Sequence, residues 1–275
     1  GDVVFGAKPP STTGAFAEYV PVRASYLLPA PQAVDVSQLA ASPYAFLSAW
    51  AALVGDCGLN EDNGARHRVF IQGGGGAVGS SAVAIAKAMG AYVVTNCSEH
   101  DMPRVRGLGA DVVLDYHQQA ISGDAKDFDI ALCTADPTMQ QHMLDILRRS
   151  SGARYATLLH PTLALGDEFG AIRGLLRSKS QLRGLNRSLR EDDRKVYWSL
   201  FSPDRQGLEK LSELLARDAL KLRIAQHFPL ERIVAAQQAM ESGVSGKIVI
   251  DITAAPQQEK AKPSVVHEED SEPVH

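Results

Sequence analysis

Four consecutive glycines, Gly73 to Gly76, follow the apolar run Val69-Phe70-Ile71-Gln72 and lead through Ala77, Val78 and Gly79 into an alanine-rich segment that ends at Gly90. Gly74, Gly76 and Gly79 fit the spacing G-x-G-x-x-G between a strand and a helix, the arrangement that binds a dinucleotide. Glycines at the first two positions permit a tight turn and let the backbone approach a pyrophosphate, and the third lets helix and strand pack closely. The expected phosphate seat is therefore Gly74, Gly75, Gly76, Ala77, Val78 and Gly79, with unpaired N–H groups of the helix start facing the ligand. About twenty residues on, where an NAD site places a carboxylate on the ribose 2′-hydroxyl, stands Asn96, followed by Cys97, Ser98 and Glu99. A neutral Asn96 does not repel a 2′-phosphate, Ser98 can donate to it, and Arg104 or Arg106 can supply charge. Glu99 would also suit an NAD contact. The balance favours NADPH.

A seat of this kind needs strands to carry it. Continuous apolar runs predict strands at 69–72, 91–96, 111–114, 129–133, 154–159 and 181–185, and helices fall between them near 80–89, 101–107, 138–148 and 168–177. The alternation predicts an α/β fold with a doubly wound parallel sheet of the Rossmann type, its crevice at the carboxyl ends of the strands. Cys133, Thr134, Thr157, Leu158 and His160 then belong to loops facing that crevice. Short β-type runs at 3–5, 15–22 and 26–28 and again at 222–225 and 247–252 suggest parts of a small β-barrel at either end. Between them, residues 36–54 read as helical, with Ser37 as cap, Pro43 as a kink or a second start, and Phe46 and Trp50 packed on one face. Helices are also expected at 204–218 and 230–241. From Ala254 the chain lacks apolar periodicity and is expected to be disordered.

Composition narrows the classes. The 275 residues are 45% hydrophobic, enough for a large core, and the net charge of −4 is mixed along the chain, which argues against nucleic acid. Three scattered cysteines fit free thiols in a reducing compartment and exclude a zinc knuckle. No stretch has the length of an apolar membrane span. Gly1 is not an initiator methionine, and Gly1-Asp2-Val3-Val4-Phe5-Gly6 reads as a turn entering a strand, so further residues are expected before it.

The order of these features resembles the medium-chain dehydrogenases/reductases of the quinone-oxidoreductase group. The likeness rests on Gly1 to Gly6, Gly14-Ala15-Phe16-Ala17-Glu18-Tyr19-Val20, Leu47-Ser48-Ala49-Trp50, the glycine turn, Leu108-Gly109-Ala110-Asp111 with Asp115-Tyr116, and Gly246-Lys247-Ile248-Val249-Ile250. Pro43-Tyr44, Tyr155 to Leu159 and Gly246-Lys247 are most similar to the mitochondrial reticulon-interacting reductases.

The resemblance implies a partial GroES-like catalytic domain at 1–42, a nucleotide-binding domain at 43–219, a return to the catalytic domain at 220–253 and a tail at 254–275. It implies that Tyr44 occupies the place of a zinc-binding cysteine, and the stretch 7–13 lacks the cysteines of a structural zinc lobe, so no metal is expected. It places Tyr116 beside the 2′-phosphate, Trp198 and Phe201 near the domain interface, and Val244 and Ser245 in a cofactor-contacting loop ending at Lys247. Tyr44 is the one candidate catalytic group, with an aromatic pocket wall as its other reading. His160 is either a general acid or a solvated loop histidine. The implied function is hydride transfer from NADPH to a quinone or related activated acceptor, with a link to ubiquinone metabolism. An enoyl-thioester reductase and a cofactor-binding protein with little catalysis, serving a reticulon-type membrane partner, fit the same residues. Mitochondrial residence and a homo-oligomer are implied in the same way.

Overall fold

The structure is a computed structural model in which residues 1–10, 14–118 and 126–252 are described. The tail from Ala254 lies outside the described residues. A short antiparallel pair, β1 (Val4–Gly6) and β2 (Leu27–Pro29), precedes α1 (Val36–Trp50), which continues into a π-helical turn at Ala51–Asp56. The central repeat follows as β3 (Arg68–Gln72), α2 (Ala77–Ala88), β4 (Tyr92–Cys97), α3 (Met102–Gly107), β5 (Val112–Asp115), β6 (Ile130–Cys133), α4 (Gln140–Asp145) and β7 (Arg154–Thr157). A helical hairpin, α5 (Thr162–Phe169) and α6 (Ala171–Ser188), leads to β8 (Lys195–Trp198), then α7 (Arg205–Ala216), β9 (Ile224–Pro229), α8 (Ile233–Glu241) and β10 (Lys247–Asp251).

The six strands β3 to β8 form one parallel sheet in the order β5-β4-β3-β6-β7-β8. The order reverses between β3 and β6, which opens a crevice at their carboxyl ends. Alternation along β3 explains the double covering: Val69 and Ile71 join the core beneath α1, α2 and α7, and Phe70 joins the opposite core with Phe128, Met143 and Tyr155. Phe46 and Trp50 stack in the first core with centroids 6.1 Å apart, as their spacing predicts.

Four expectations need correction. Residues 181–185 are not a strand. Leu182 and Leu185 continue the helical row of Ser178 along α6, and the sixth strand is β8, whose Val196 is buried. The run 15–22 forms no strand among the described residues, because nothing there pairs with it, and Phe16 and Tyr19 are exposed. Asp35, not Ser37, caps α1; its Oδ1 accepts from the N–H groups of Ser37 and Gln38. The last strands pair in parallel at 224–229 and 247–251, and Leu222, read as strand, is instead held by Gln38 of α1, which accepts from its N–H and donates to its carbonyl, each at 2.9 Å. That buried amide ties the carboxy-terminal segment to the core. Helix α1 runs on through Pro43, and Ser42 Oγ donates to Gln38 O in the same turn at 2.6 Å.

Candidate functional site

Gln72, Asn96, Cys133, Thr157 and Trp198 stand side by side at the carboxyl end of the sheet. Above this row the chain turns at Gly73, the member of the glycine run with positive φ (82°), and enters α2 with Gly76 as its cap. The turn is built by close approach. A Cβ at Gly79 would lie 2.0 Å from Gly73 O, and one at Gly74 would lie 2.2 Å from Thr95 Oγ1. Gly74 thus sits behind the turn, and Gly73 makes the bend that the spacing assigned to Gly74. Asn96 fastens the turn: its Oδ1 accepts from Gly73 N at 2.8 Å and its carbonyl from Gly74 N at 2.9 Å. Among the described residues no group accepts from the N–H of Ala77, Val78 or Gly79. Those three donors and the positive end of the helix make an anion seat.

A cavity of about 470 Å³ opens over this seat. It brings together Gly75, Gly76, Ala77, Val78, Gly79, Ser98, Tyr116, Thr134 and Ser245, all anticipated. Gly74, Leu158, Phe201 and Val244 are not among its lining residues. Glu99 and Arg106 are exposed and also lie outside it. Two charged residues enter unanticipated, Asp101 and Arg223. Asp101 is 8% exposed; its Oδ1 pairs with Arg104 Nη2 at 2.9 Å and its Oδ2 accepts from Ser98 Oγ at 3.1 Å. Arg104 also donates to Gly75 O and Ser80 Oγ, so it braces the turn and its charge is neutralised by Asp101. Arg223 is half-buried and makes no ion pair among the described residues. Its stem lies under Gly246, and its carbonyl accepts from Lys247 N at 2.8 Å. The spacing of Asp101 and Arg104, three apart, could have revealed that pair. Arg223 had no such signal, since it reaches the turn only through the tertiary fold.

The other end of the row is more apolar. Tyr44, 47% exposed, stacks on Phe201 with centroids 4.4 Å apart and planes 8° from parallel. That geometry presents the face of the pair as a wall. Cys133 does not face the crevice as expected: it is fully buried, and its Sγ lies 2.8 Å from Gln72 Oε1 and 3.2 Å from Asp136 O. Thr134 lines the cavity and donates to Gln72 O at 2.7 Å. Thr157 is buried, its Oγ1 accepting from Leu159 N, while Leu158 N approaches Cys133 O at 3.4 Å.

His160 is not a freely solvated loop histidine. It is half-buried, stacked on Trp198, with Nε2 3.2 Å from Ser199 O and Nδ1 2.8 Å from Thr162 Oγ1. The carbonyl fixes the proton on Nε2 and leaves Nδ1 to accept. Burial lowers its pKa against the raising effect of the Ser199 carbonyl, which suits a neutral staple between two loops. Lys247 opens β10 outside the cavity, its pKa lowered by burial.

The metal donors are dispersed. Burial pushes the Cys57 thiol up and the Cys97 thiol to about 11, which disfavours the thiolate form that zinc binds. Among the described residues no three His, Cys, Asp or Glu side chains are grouped to hold an ion.

Comparison with known proteins places these features in context. A family model described as zinc-binding dehydrogenase matches residues 108–250. The chain is 33% identical over 257 residues to NAD(P)H oxidoreductase RTN4IP1, mitochondrial, of Danio rerio, covering 92% of this chain and 66% of that protein. It is 32% identical over 258 residues to the Homo sapiens protein of the same name, covering 92% of this chain and 65% of the relative. The chain thus spans just under two thirds of their length. Among solved structures, the quinone oxidoreductase from Coxiella burnetii superimposes with a TM-score of 0.69 at 23% identity, over 92% of this chain and 73% of that one. An alcohol dehydrogenase superfamily protein from Novosphingobium aromaticivorans gives 0.70 at 23% identity, over 92% and 76%. At those identities the likeness is one of fold.

Proposed function

The chain belongs to the medium-chain dehydrogenase/reductase superfamily, and from that premise we propose that it is the nucleotide-binding part of an NADPH-dependent, zinc-independent reductase acting on a quinone or related activated acceptor. The observation that carries the reading is the cavity above the glycine turn, which is lined by Ser98, Tyr116 and Arg223, the last without an ion pair among the described residues. The N–H groups of Ala77, Val78 and Gly79 would hold the pyrophosphate. Ser98 and Arg223 would hold a 2′-phosphate, Ser98 by turning its hydroxyl away from Asp101, and Tyr116 would pack beside it. Once bound, the cofactor supplies the hydride from nicotinamide C4. The chain's part is to fix the cofactor, exclude water and offer the Tyr44–Phe201 face for a planar acceptor to lie against.

Zinc independence is supported by the donor set: the phenol that the resemblance puts in place of a zinc thiolate is stacked on Phe201, and the three thiols are buried. Leu158, Val244 and Gly74 serve as supports around the seat in this reading, and the boundaries 1–42, 43–219 and 220–253 delimit its working parts. Mitochondrial residence follows the names of the relatives. A reticulon-type partner and self-association belong to the same reading. Thermal unfolding with each cofactor, and turnover with a quinone and an enoyl thioester separately, test it. NADPH should stabilise more than NADH and the quinone should turn over; preference for NADH or for the thioester overturns the respective part. Binding without turnover of either points to a cofactor-binding protein.

A further inference from the structure

Helix α6 carries Arg173, Arg177, Lys179, Arg183 and Arg187 and no acid, in a chain whose net charge is −4. None of the five forms an ion pair among the described residues. Three like-charge pairs stand four apart, Arg173 with Arg177, Lys179 with Arg183 and Arg183 with Arg187, and each disfavours the isolated helix. The hairpin's own acids, Asp167 and Glu168 of α5, are exposed.

The inward face of α6 is fixed. A Cβ at Gly174 would meet Leu165 O at 2.4 Å, Ser178 Oγ lies 2.6 Å from Thr162 Oγ1, and Leu182 and Leu185 pack on the sheet's second core. The opposite stripe reads Ile172, Leu176, Lys179, Arg183, Arg187, apolar at its start and cationic thereafter. Ile172 is 78% exposed and Leu176 63%, with Leu175 beside them at 46%. Asn186 sits against Val196 of β8, whereas Ser178 is level with the loops beyond the strand ends. The first seven residues of α6 therefore overhang the carboxyl end of the sheet by about 10 Å. That is the end at which the cavity opens.

We propose that α6 docks on an anionic phospholipid surface, with Ile172, Leu175 and Leu176 entering the headgroup layer and Lys179, Arg183 and Arg187 pairing with lipid phosphates. A bilayer accepts aliphatic side chains and cations on one side together. Nucleic acid would use the cations and gain nothing from three exposed aliphatics. The attachment is peripheral, since no described helix is long and apolar enough to cross a membrane. Docking does not depend on the proposed acceptor; if that acceptor is a lipid-dissolved quinone, the overhang turns the crevice towards its source.

The test is co-sedimentation of the chain with vesicles of phosphatidylcholine alone and of equal parts phosphatidylcholine and phosphatidylglycerol. Binding to the anionic vesicles only, weakened by salt, is expected. The variant K179Q/R183Q/R187Q should lose about fivefold in partitioning per cation removed. The variant I172S/L176S should lose binding while keeping its circular dichroism and cofactor affinity. Absence of wild-type binding overturns the proposal and leaves an acidic protein or the additional length of the longer relatives to cover the helix. Equal binding by the variants overturns it as well.

Discussion

A methyl group at Gly79 has nowhere to go, because Gly73 O would lie 2.0 Å away. Gly79→Ala is therefore expected to cost roughly 3 kcal/mol or more, read as a lowered midpoint of chemical unfolding. Gly76→Ala separates folding from binding: its nearest neighbour would be Gly73 O at 3.5 Å and its φ is −73°. The variant should fold normally while its methyl weakens NADPH binding. Arg223→Gln removes a cavity-lining guanidinium that has no ion pair among the described residues. A charge-assisted hydrogen bond contributes about 1.5–3 kcal/mol, so fluorescence titration should show NADPH affinity falling roughly tenfold or more, with NADH little changed. His160 gives a pH signature. Its folded pKa is lowered by burial, so the folded state prefers the neutral ring and the unfolded state takes up the proton first. Its stabilisation is present above the ordinary value of about 6.5 and is lost as pH falls from there towards the folded pKa. Unfolding followed by urea across that window should show the decline, and His160→Asn should flatten it.

Two side-chain amides act as substitute strands and thereby place whole elements. Gln38 holds Leu222 at both its polar groups, and Asn186 holds Val196 likewise, accepting from its N–H at 2.7 Å and donating to its carbonyl at 3.0 Å. The second pair covers the outer edge of β8, the last strand of the sheet. An uncovered edge is a template for another chain. Asn186→Ala should cost about 1–3 kcal/mol through the unsatisfied Val196 groups. Light scattering should then show more self-association than the parent chain under the same conditions. The segment 181–185, Gln-Leu-Arg-Gly-Leu, offers a strand only its two leucines, with a charged residue and a glycine between them. What decides against it is the helical row from Gly174 to Leu189, visible only once the hairpin with α5 is recognised.

At the scale of the molecule, the candidate cofactor cavity is assembled from separate regions: the glycine turn, the ends of β4, β5 and β6, and the Arg223 and Ser245 loops. A ligand that joins them should stabilise the whole. NADPH at a hundred times its Kd should add about 2.7 kcal/mol, which for a chain of this size corresponds to a rise of roughly 5–10 °C in Tm. An unchanged Tm would separate the glycine turn from any cofactor role.

The sequence by itself determined the strand–turn–helix unit, the parallel alternation, the resemblance to the superfamily and most of the cavity's lining, because those depend on local periodicity and on glycines whose spacing has a steric reason. Tertiary structure alone decided which charges face the cavity. Arg104 is drawn into a pair with Asp101, Asn96 is spent on the turn, His160 becomes a staple and Cys133 turns inward, while Arg223 arrives from more than a hundred residues away. A side chain's charge is written in the sequence; its partner is chosen by packing between distant elements, and it is the partner that determines whether the charge remains available to a ligand.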